Sequence, residues 1–234
     1  MINFLLILIS TFSFISCNQL IKPIDTYIID CHEPSDIAYD NFDDTFYCVS
    51  DEGYISHISI DGKLLRKFKL DLRDMESVHV DSNYIYVIDE RTRQVITLDK
   101  LNLNEINRKI IPYFGGSNKG FEGMTFNPVN KKWLTVTEKS PVIIFELDES
   151  FNINNLIHEP KKLSEVSGVT FYNNYLWFLG DEDRTLSKAD PLTYEVVDVW
   201  IVDVPTPEGI AFANGFLYLA SDNFNMIYKM DFKE

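Results

Sequence analysis

Short runs of apolar residues, four to seven long and separated by polar turns, fill the chain from residue 24 to the C-terminus, with little helical spacing among them. They predict strands at 36–39, 45–50, 54–60 and 64–70, then 77–80, 84–88, 94–98 and 106–111. A third group predicts 123–126, 133–137, 142–147 and 153–158, and a fourth 168–171, 175–179, 185–188 and 196–202. The last group has three strands, 209–212, 216–220 and 226–230, before the sequence stops. Asp61-Gly62 and the polar stretch 40–44 supply turn chemistry between runs.

Each group opens on a related pentapeptide: Ser35-Asp36-Ile37-Ala38-Tyr39, Glu76-Ser77-Val78-His79-Val80, Glu122-Gly123-Met124-Thr125-Phe126, Ser167-Gly168-Val169-Thr170-Phe171 and Glu208-Gly209-Ile210-Ala211-Phe212. Their first residues lie 41, 46, 45 and 41 positions apart, the period of a four-stranded propeller blade. The expected fold is therefore all-β, a five-bladed β-propeller. The unassigned strand 24–29 is expected to complete the three-stranded last blade, closing the ring and removing both sheet edges. A six-bladed ring is the alternative if the irregular stretch 107–119 hides a further blade.

Residues 1–16 carry no charged side chain and run Phe4-Leu5-Leu6-Ile7-Leu8-Ile9, the layout of a secretory signal too short for a membrane span. The segment ends Phe14-Ile15-Ser16-Cys17, which resembles a bacterial lipoprotein signal with Cys17 as the acylated residue. The expected organisation is a signal at 1–16, a tether at 17–23 and the propeller at 24–234. The expected location is the bacterial cell envelope, lipid-anchored to a membrane and facing periplasm or cell exterior.

The net charge of −15 changes the list of partners. With no basic stripe to offset it, a phosphate-backbone partner is not expected, so nucleic acid is set aside and a small-molecule or protein ligand retained, the chain itself being expected as a monomer. Cys31 and Cys48 are few for a disulfide framework, and a bridge or a buried free thiol are both open for them. The four histidines lack metal-ligand spacing, and His79, inside an inner strand, reads as a hydrogen-bonded core residue. The sequence has no G-x-S-x-G elbow, phosphate-cradling glycine loop or H-E-x-x-H pair. Tyr47, Tyr86, Trp177 and Tyr218 recur at one place in the second strands and read as packing between blades.

In a propeller blade the start of the first strand and the end of the second meet at one rim of the central channel. The first set is Ser35, Glu76, Glu122, Ser167 and Glu208; the second includes Asp51, Asp89, Glu138, Asp181 and Asp222. A funnel of carboxylates follows, with Glu76, Glu122 and Glu208 placed where strand propensity disfavours them. Such a set offers the oxygen ligands that Ca²⁺ or Mg²⁺ takes. Arg91, Lys139 and Arg184 follow three of the second strands and would relieve the repulsion without an ion. Turn chemistry repeated from blade to blade would also place Asp, Glu and Ser here with no ligand at all.

The ordered strings Glu33-Pro34-Ser35-Asp36-Ile37-Ala38-Tyr39, Val49-Ser50-Asp51-Glu52-Gly53, Met75-Glu76-Ser77-Val78, Ile88-Asp89-Glu90-Arg91, Gly120-Phe121-Glu122-Gly123-Met124 and Thr137-Glu138-Lys139 resemble the SdiA-regulated protein family. These are bacterial envelope propellers, distantly similar to NHL-repeat, gluconolactonase-like and esterase-like phytase propellers. Two positions depart from the family pattern: Asp36 and Ser77 stand where it has glycine. The resemblance implies a calcium-associated propeller with Glu76, Glu122, Glu208 and Asp222 as ligands, and the strand ends place Ser35, Asp51, Arg91, Lys139, Asp181 and Arg184 on the rim around them. The functional expectation is a membrane-anchored propeller that binds a ligand or partner at a calcium-binding acidic rim. The alternative is a metal-dependent hydrolase of an ester, lactone or phosphoester, with Asp89 or Glu138 as general base.

Overall fold

Successive residues of a strand point to opposite faces, and in this chain both faces of the second strands are covered. Along one such strand, Tyr47 and Val49 pack toward the second repeat while Phe46 and Cys48 pack toward the fifth. That double burial is why these strands read as continuous apolar runs.

The computed structural model describes residues 19–115 and 120–233. The expected signal at 1–16, the lipidation of Cys17 and the 116–119 part of the irregular stretch lie outside the described residues. Five sheets, one per repeat, form a ring: a five-bladed β-propeller with no α-helix among the described residues. Two strands precede the first repeat, β1 (Leu20–Ile21) and β2 (Pro23–Ile28). Blade one is β3 (Pro34–Asp40), β4 (Thr45–Ser50), β5 (Tyr54–Ser59) and β6 (Leu64–Lys69); blade two is β7 (Met75–Val80), β8 (Tyr84–Asp89), β9 (Gln94–Asp99) and β10 (Glu105–Ile110). Blade three is β11 (Gly123–Asn127), β12 (Lys132–Val136), β13 (Ile143–Leu147) and β14 (Ile153–His158); blade four is β15 (Gly168–Tyr172), β16 (Tyr175–Gly180), β17 (Thr185–Ala189) and β18 (Val196–Val202). Blade five is β19 (Pro207–Ala213), β20 (Phe216–Ser221) and β21 (Met226–Met230), with the short 3-10 turn Asp222–Phe224 between the last two.

The missing fourth strand of blade five comes from the other end of the chain. β2 pairs antiparallel with β21, Thr26 opposite Tyr228 and Ile28 opposite Met226, so the N-terminal segment closes the ring. The stretch 107–119 contributes the end of β10 and no further blade among its described residues. The segment expected as tether is partly structured: β1 adds a fifth, parallel strand to blade four, Ile21 opposite Val202. Ile21 is buried in the same cluster as Trp177 and Val202, an apolar residue removed from water rather than left on a leash.

The hydrophobic core is divided into five clusters, each filling the seam between two neighbouring blades. Tyr86 meets Trp133 across the seam of blades two and three at 4.6 Å between ring centroids, and Phe46 meets Tyr218 across the closing seam at 5.0 Å. The inner strands β3, β7, β11, β15 and β19 stand side by side around the axis, all running the same way. Their starts therefore share one mouth of the channel and their ends the other.

The candidate site at the acidic mouth

At the mouth where the inner strands start, one cavity of about 270 Å³ is lined by Ser35, Asp51, Asp74, Glu76, Glu90, Glu122, Glu138, Ser167, Asp181, Glu208 and Asp222. Every blade contributes the first residue of its pentapeptide, and every blade contributes one carboxylate just past its second strand. Among the described residues no lysine or arginine lines the cavity.

Strand alternation fixes which carboxylate each second strand delivers. Asp51, Glu90, Asp181 and Asp222 each immediately follow a strand end, and Glu138 follows by two. In blade two this register puts Glu90 on the cavity and turns Asp89 away, where its carboxylate accepts the Thr92 N–H at 3.0 Å within a turn. Glu90 also accepts the Gly120 N–H at 2.7 Å, which docks the connector into blade three.

Asp74 is the lining residue that blade periodicity does not announce. It sits in the connector before β7 with a left-handed backbone, φ 78°, a conformation Asp tolerates better than most residues. Its N–H donates to the Asp51 carbonyl and its carbonyl accepts from the Glu90 N–H, each at 2.9 Å, so it clips blades one and two together beside the cavity.

The basic residues near the mouth are spoken for. Arg91 donates through Nε to Asp74 at 2.6 Å from outside the wall, and Lys139 bridges Glu138 at 2.5 Å and Glu182 at 2.6 Å. Arg184 is exposed in the turn between β16 and β17 and lines no part of the cavity. Ser35 donates to Asp51 at 2.6 Å, and Ser167 donates to the Pro207 carbonyl at 2.9 Å, tying blade four to blade five.

Carboxylates crowded together raise each other's cost of ionisation. Burial, reinforced by the charges of Asp51 and Asp74, pushes Glu76 well above the ordinary carboxylate range. Burial and the charge of Glu76 do the same to Glu122, and Glu208 rises to about 10 through burial and the charges of Asp181 and Glu76. Asp51, Glu90 and Asp222 are raised as well, burial being the largest cause for each. Behind the wall Glu165, 5 % exposed, is pushed up to about 8 by burial and by its hydrogen bond with Asp181, and its Oε2 has no hydrogen-bond partner among the described residues.

Of the expected ligands Glu76, Glu122, Glu208 and Asp222, all four line the cavity, yet among the described residues only Glu76 belongs to a triad close enough to share one ion. Oxygens of Asp51, Asp74 and Glu76 lie within 4.8 Å of one another. The donor set of the cavity is oxygen only, without His or Cys, which suits Ca²⁺ or Mg²⁺ and disfavours zinc.

The opposite mouth differs in chemistry. A second cavity of about 400 Å³ is lined by the ends of the inner strands, among them Tyr39, Phe126, Phe171, Tyr172 and Phe212, and by no Asp, Glu, Lys or Arg. His79 lies here, edge-on to Trp133 at 5.0 Å and without a hydrogen bond among the described residues, where the sequence predicts a hydrogen-bonded core residue. Burial lowers it to about 4.

Known structures share the ring. A glutaminyl cyclase of Myxococcus xanthus superposes with a TM-score of 0.73 over 92 % of this chain and 98 % of that one, at 12 % identity. The Pan2 WD40 domain of Neurospora crassa matches with a TM-score of 0.55 over 80 % and 56 % at 15 % identity, and virginiamycin B lyase of Staphylococcus aureus with 0.52 over 84 % and 65 % at 14 % identity. At these identities the likeness concerns the fold. The model of the SdiA-regulated family matches residues 21–231, nearly all of the propeller with the strand that closes it, and the chain belongs to that family.

Proposed function

We propose that this propeller binds Ca²⁺ in its acidic cavity and, through the loaded site, a ligand or partner at the membrane-facing surface of a bacterial envelope. One observation carries the reading: nine carboxylates converge on about 270 Å³ with no cationic side chain in the wall among the described residues. Carboxylates at this density hold protons or a cation, and a divalent cation relieves several at once. Asp51, Asp74 and Glu76 would form the first ligand group, with Glu122, Glu208 and Asp222 completing the oxygen shell. The bound ion would supply a positive centre to which an anionic or carbonyl oxygen of a ligand adds.

Thermal unfolding with and without millimolar Ca²⁺ tests the proposal. The melting temperature is expected to rise with Ca²⁺, and Glu122→Gln to reduce or abolish the rise. An unchanged melting temperature in the wild type contradicts it.

The second reading is a metal-dependent hydrolase of an ester, lactone or phosphoester. Glu138 favours it, because its carboxylate stands on the cavity wall, where a general base must be, whereas Asp89 is committed to a turn. A panel of these substrates, joined by a peptide with N-terminal glutamine in view of the likeness to glutaminyl cyclase, separates enzyme from binder. Ca²⁺-dependent turnover that is lost in Glu138→Gln would establish the second reading and end the binding-only one.

The anchor at Cys17 belongs to the same proposal. β1 starts at Leu20, so an acyl group on Cys17 would hold the outer edge of blade four near the bilayer. Palmitate labelling is expected in the wild type and not in Cys17→Ser; labelling that survives the substitution contradicts the anchor.

A further inference from the structure

The seam where the ring closes contains a pair of cysteines. Cys31 lies in the segment that leaves β2 in blade five and enters β3 in blade one, and Cys48 is in β4. Both belong to the cluster between blades five and one, at 1 % and 0 % exposure. They are thiols in this structure, with the sulfurs 3.1 Å apart and each 3.7 Å from the Val49 carbonyl oxygen. That separation is about 1 Å beyond a disulfide bond of about 2.05 Å.

The segment around Cys31 is held in place from both sides. The Ile29 N–H donates to the Asn225 carbonyl of blade five at 2.9 Å, and the Ser56 hydroxyl of blade one donates to the Asp30 carbonyl at 2.9 Å. Lys67 reaches the Asp30 carboxylate at 2.7 Å. The backbone thus presents one sulfur to the other without a loop having to travel.

We propose that Cys31 and Cys48 are joined by a disulfide that locks the closing segment, and with it β2, to the second strand of blade one. The oxidant is an external disulfide, such as glutathione disulfide or the active-site disulfide of an oxidoreductase. One cysteine thiolate attacks it, forming a mixed disulfide and releasing one thiolate. The second cysteine then attacks the bonded protein sulfur and expels the other half of the oxidant. Two protein thiols lose two protons and two electrons, and the oxidant leaves as two thiols.

The reaction belongs to folding rather than to the finished ring. Burial pushes the Cys48 thiol well above its ordinary range, and neither sulfur is open to an external disulfide once the seam has formed.

The test refolds the reduced full-length chain in a glutathione redox buffer, quenches with acid, alkylates under denaturing conditions and maps the peptides by mass spectrometry. The expected product has the Cys31 and Cys48 peptides joined and lighter by two hydrogens, with Cys17 outside the bridge. Its melting temperature is expected to fall by about 5–10 °C on reduction. A Cys31→Ala, Cys48→Ala double variant is expected to melt with the reduced protein and to ignore reductant. Should that variant not fold, the peptide map decides. Both cysteines alkylated, each carrying glutathione, or either bridged to Cys17 would overturn the proposal, as would a bridged protein no more stable than the reduced one.

Discussion

Asp36 accepts three hydrogen bonds at the seam of blades one and two: from the Ser77 hydroxyl at 3.0 Å, the Val78 N–H at 2.9 Å and its neighbour Ile37 N–H at 2.8 Å. Asp36 and Ser77 stand at the pentapeptide position where the other three blades carry Gly123, Gly168 and Gly209, and they are each other's partners. The carboxylate that holds this position in blade one is satisfied by the hydroxyl that holds it in blade two. The pentapeptide of blade five keeps its glycine for the opposite reason: a Cβ on Gly209 would stand 2.7 Å from the Ile37 nitrogen and 2.8 Å from the Asp36 Cα. Asp36→Ala is expected to lower stability by about 1–3 kcal/mol in urea unfolding, since it leaves the Val78 N–H and the Ser77 hydroxyl buried and unpaired. A double-mutant cycle with Ser77→Ala should then return a coupling of about 0.5–3 kcal/mol. Strict additivity would mean that the two residues act independently.

At the scale of strands, closure depends on β2. Its ladder with β21 covers what would otherwise be a bare edge, and the segment after it fills the seam with Ile29 and Cys31. A chain lacking residues 19–31 is expected to self-associate in size-exclusion chromatography and to lose cooperative unfolding, whereas a monomer of unchanged melting temperature would show that closure is dispensable. Strand order, blade number and this closure were legible in the sequence, because period-two burial and a recurring pentapeptide are properties of the blade itself. The rim was legible to within one residue: Ser50-Asp51, Gly180-Asp181 and Ser221-Asp222 share a register that also selects Glu90 over Asp89. Asp74 and Glu165 were not legible. Both lie in connectors between blades, whose lengths vary and whose placement depends on a left-handed residue in one case and on docking behind Asp181 in the other.

Over the whole molecule, formal charge of −15 is distributed so that the cavity at one end of the channel is lined by nine carboxylates and the cavity at the other, among the described residues, by none. The folded ring therefore holds protons that the unfolded chain releases. Asp36 rises from 3.8 to about 7 and Glu165 from 4.5 to about 8, both chiefly through burial. Carboxyls raised in this direction contribute their full stability below the ordinary carboxylate range and lose it as pH climbs through the folded values. Without divalent ions the melting temperature is expected to fall between about pH 5 and pH 9, and millimolar Ca²⁺ is expected to flatten the fall at the alkaline end. A melting temperature that rises over this interval in the absence of Ca²⁺ would contradict the pKa directions.

Calorimetric titration of Ca²⁺ into the metal-stripped protein tests the central claim most directly, with the experiment repeated in two buffers of different ionisation heat. The account predicts saturable binding accompanied by proton release into the buffer, weakened at least tenfold in Glu76→Gln, a loss of at least about 1.4 kcal/mol. No saturable heat up to millimolar Ca²⁺ in either buffer would contradict it and leave the carboxylate rim as architecture alone.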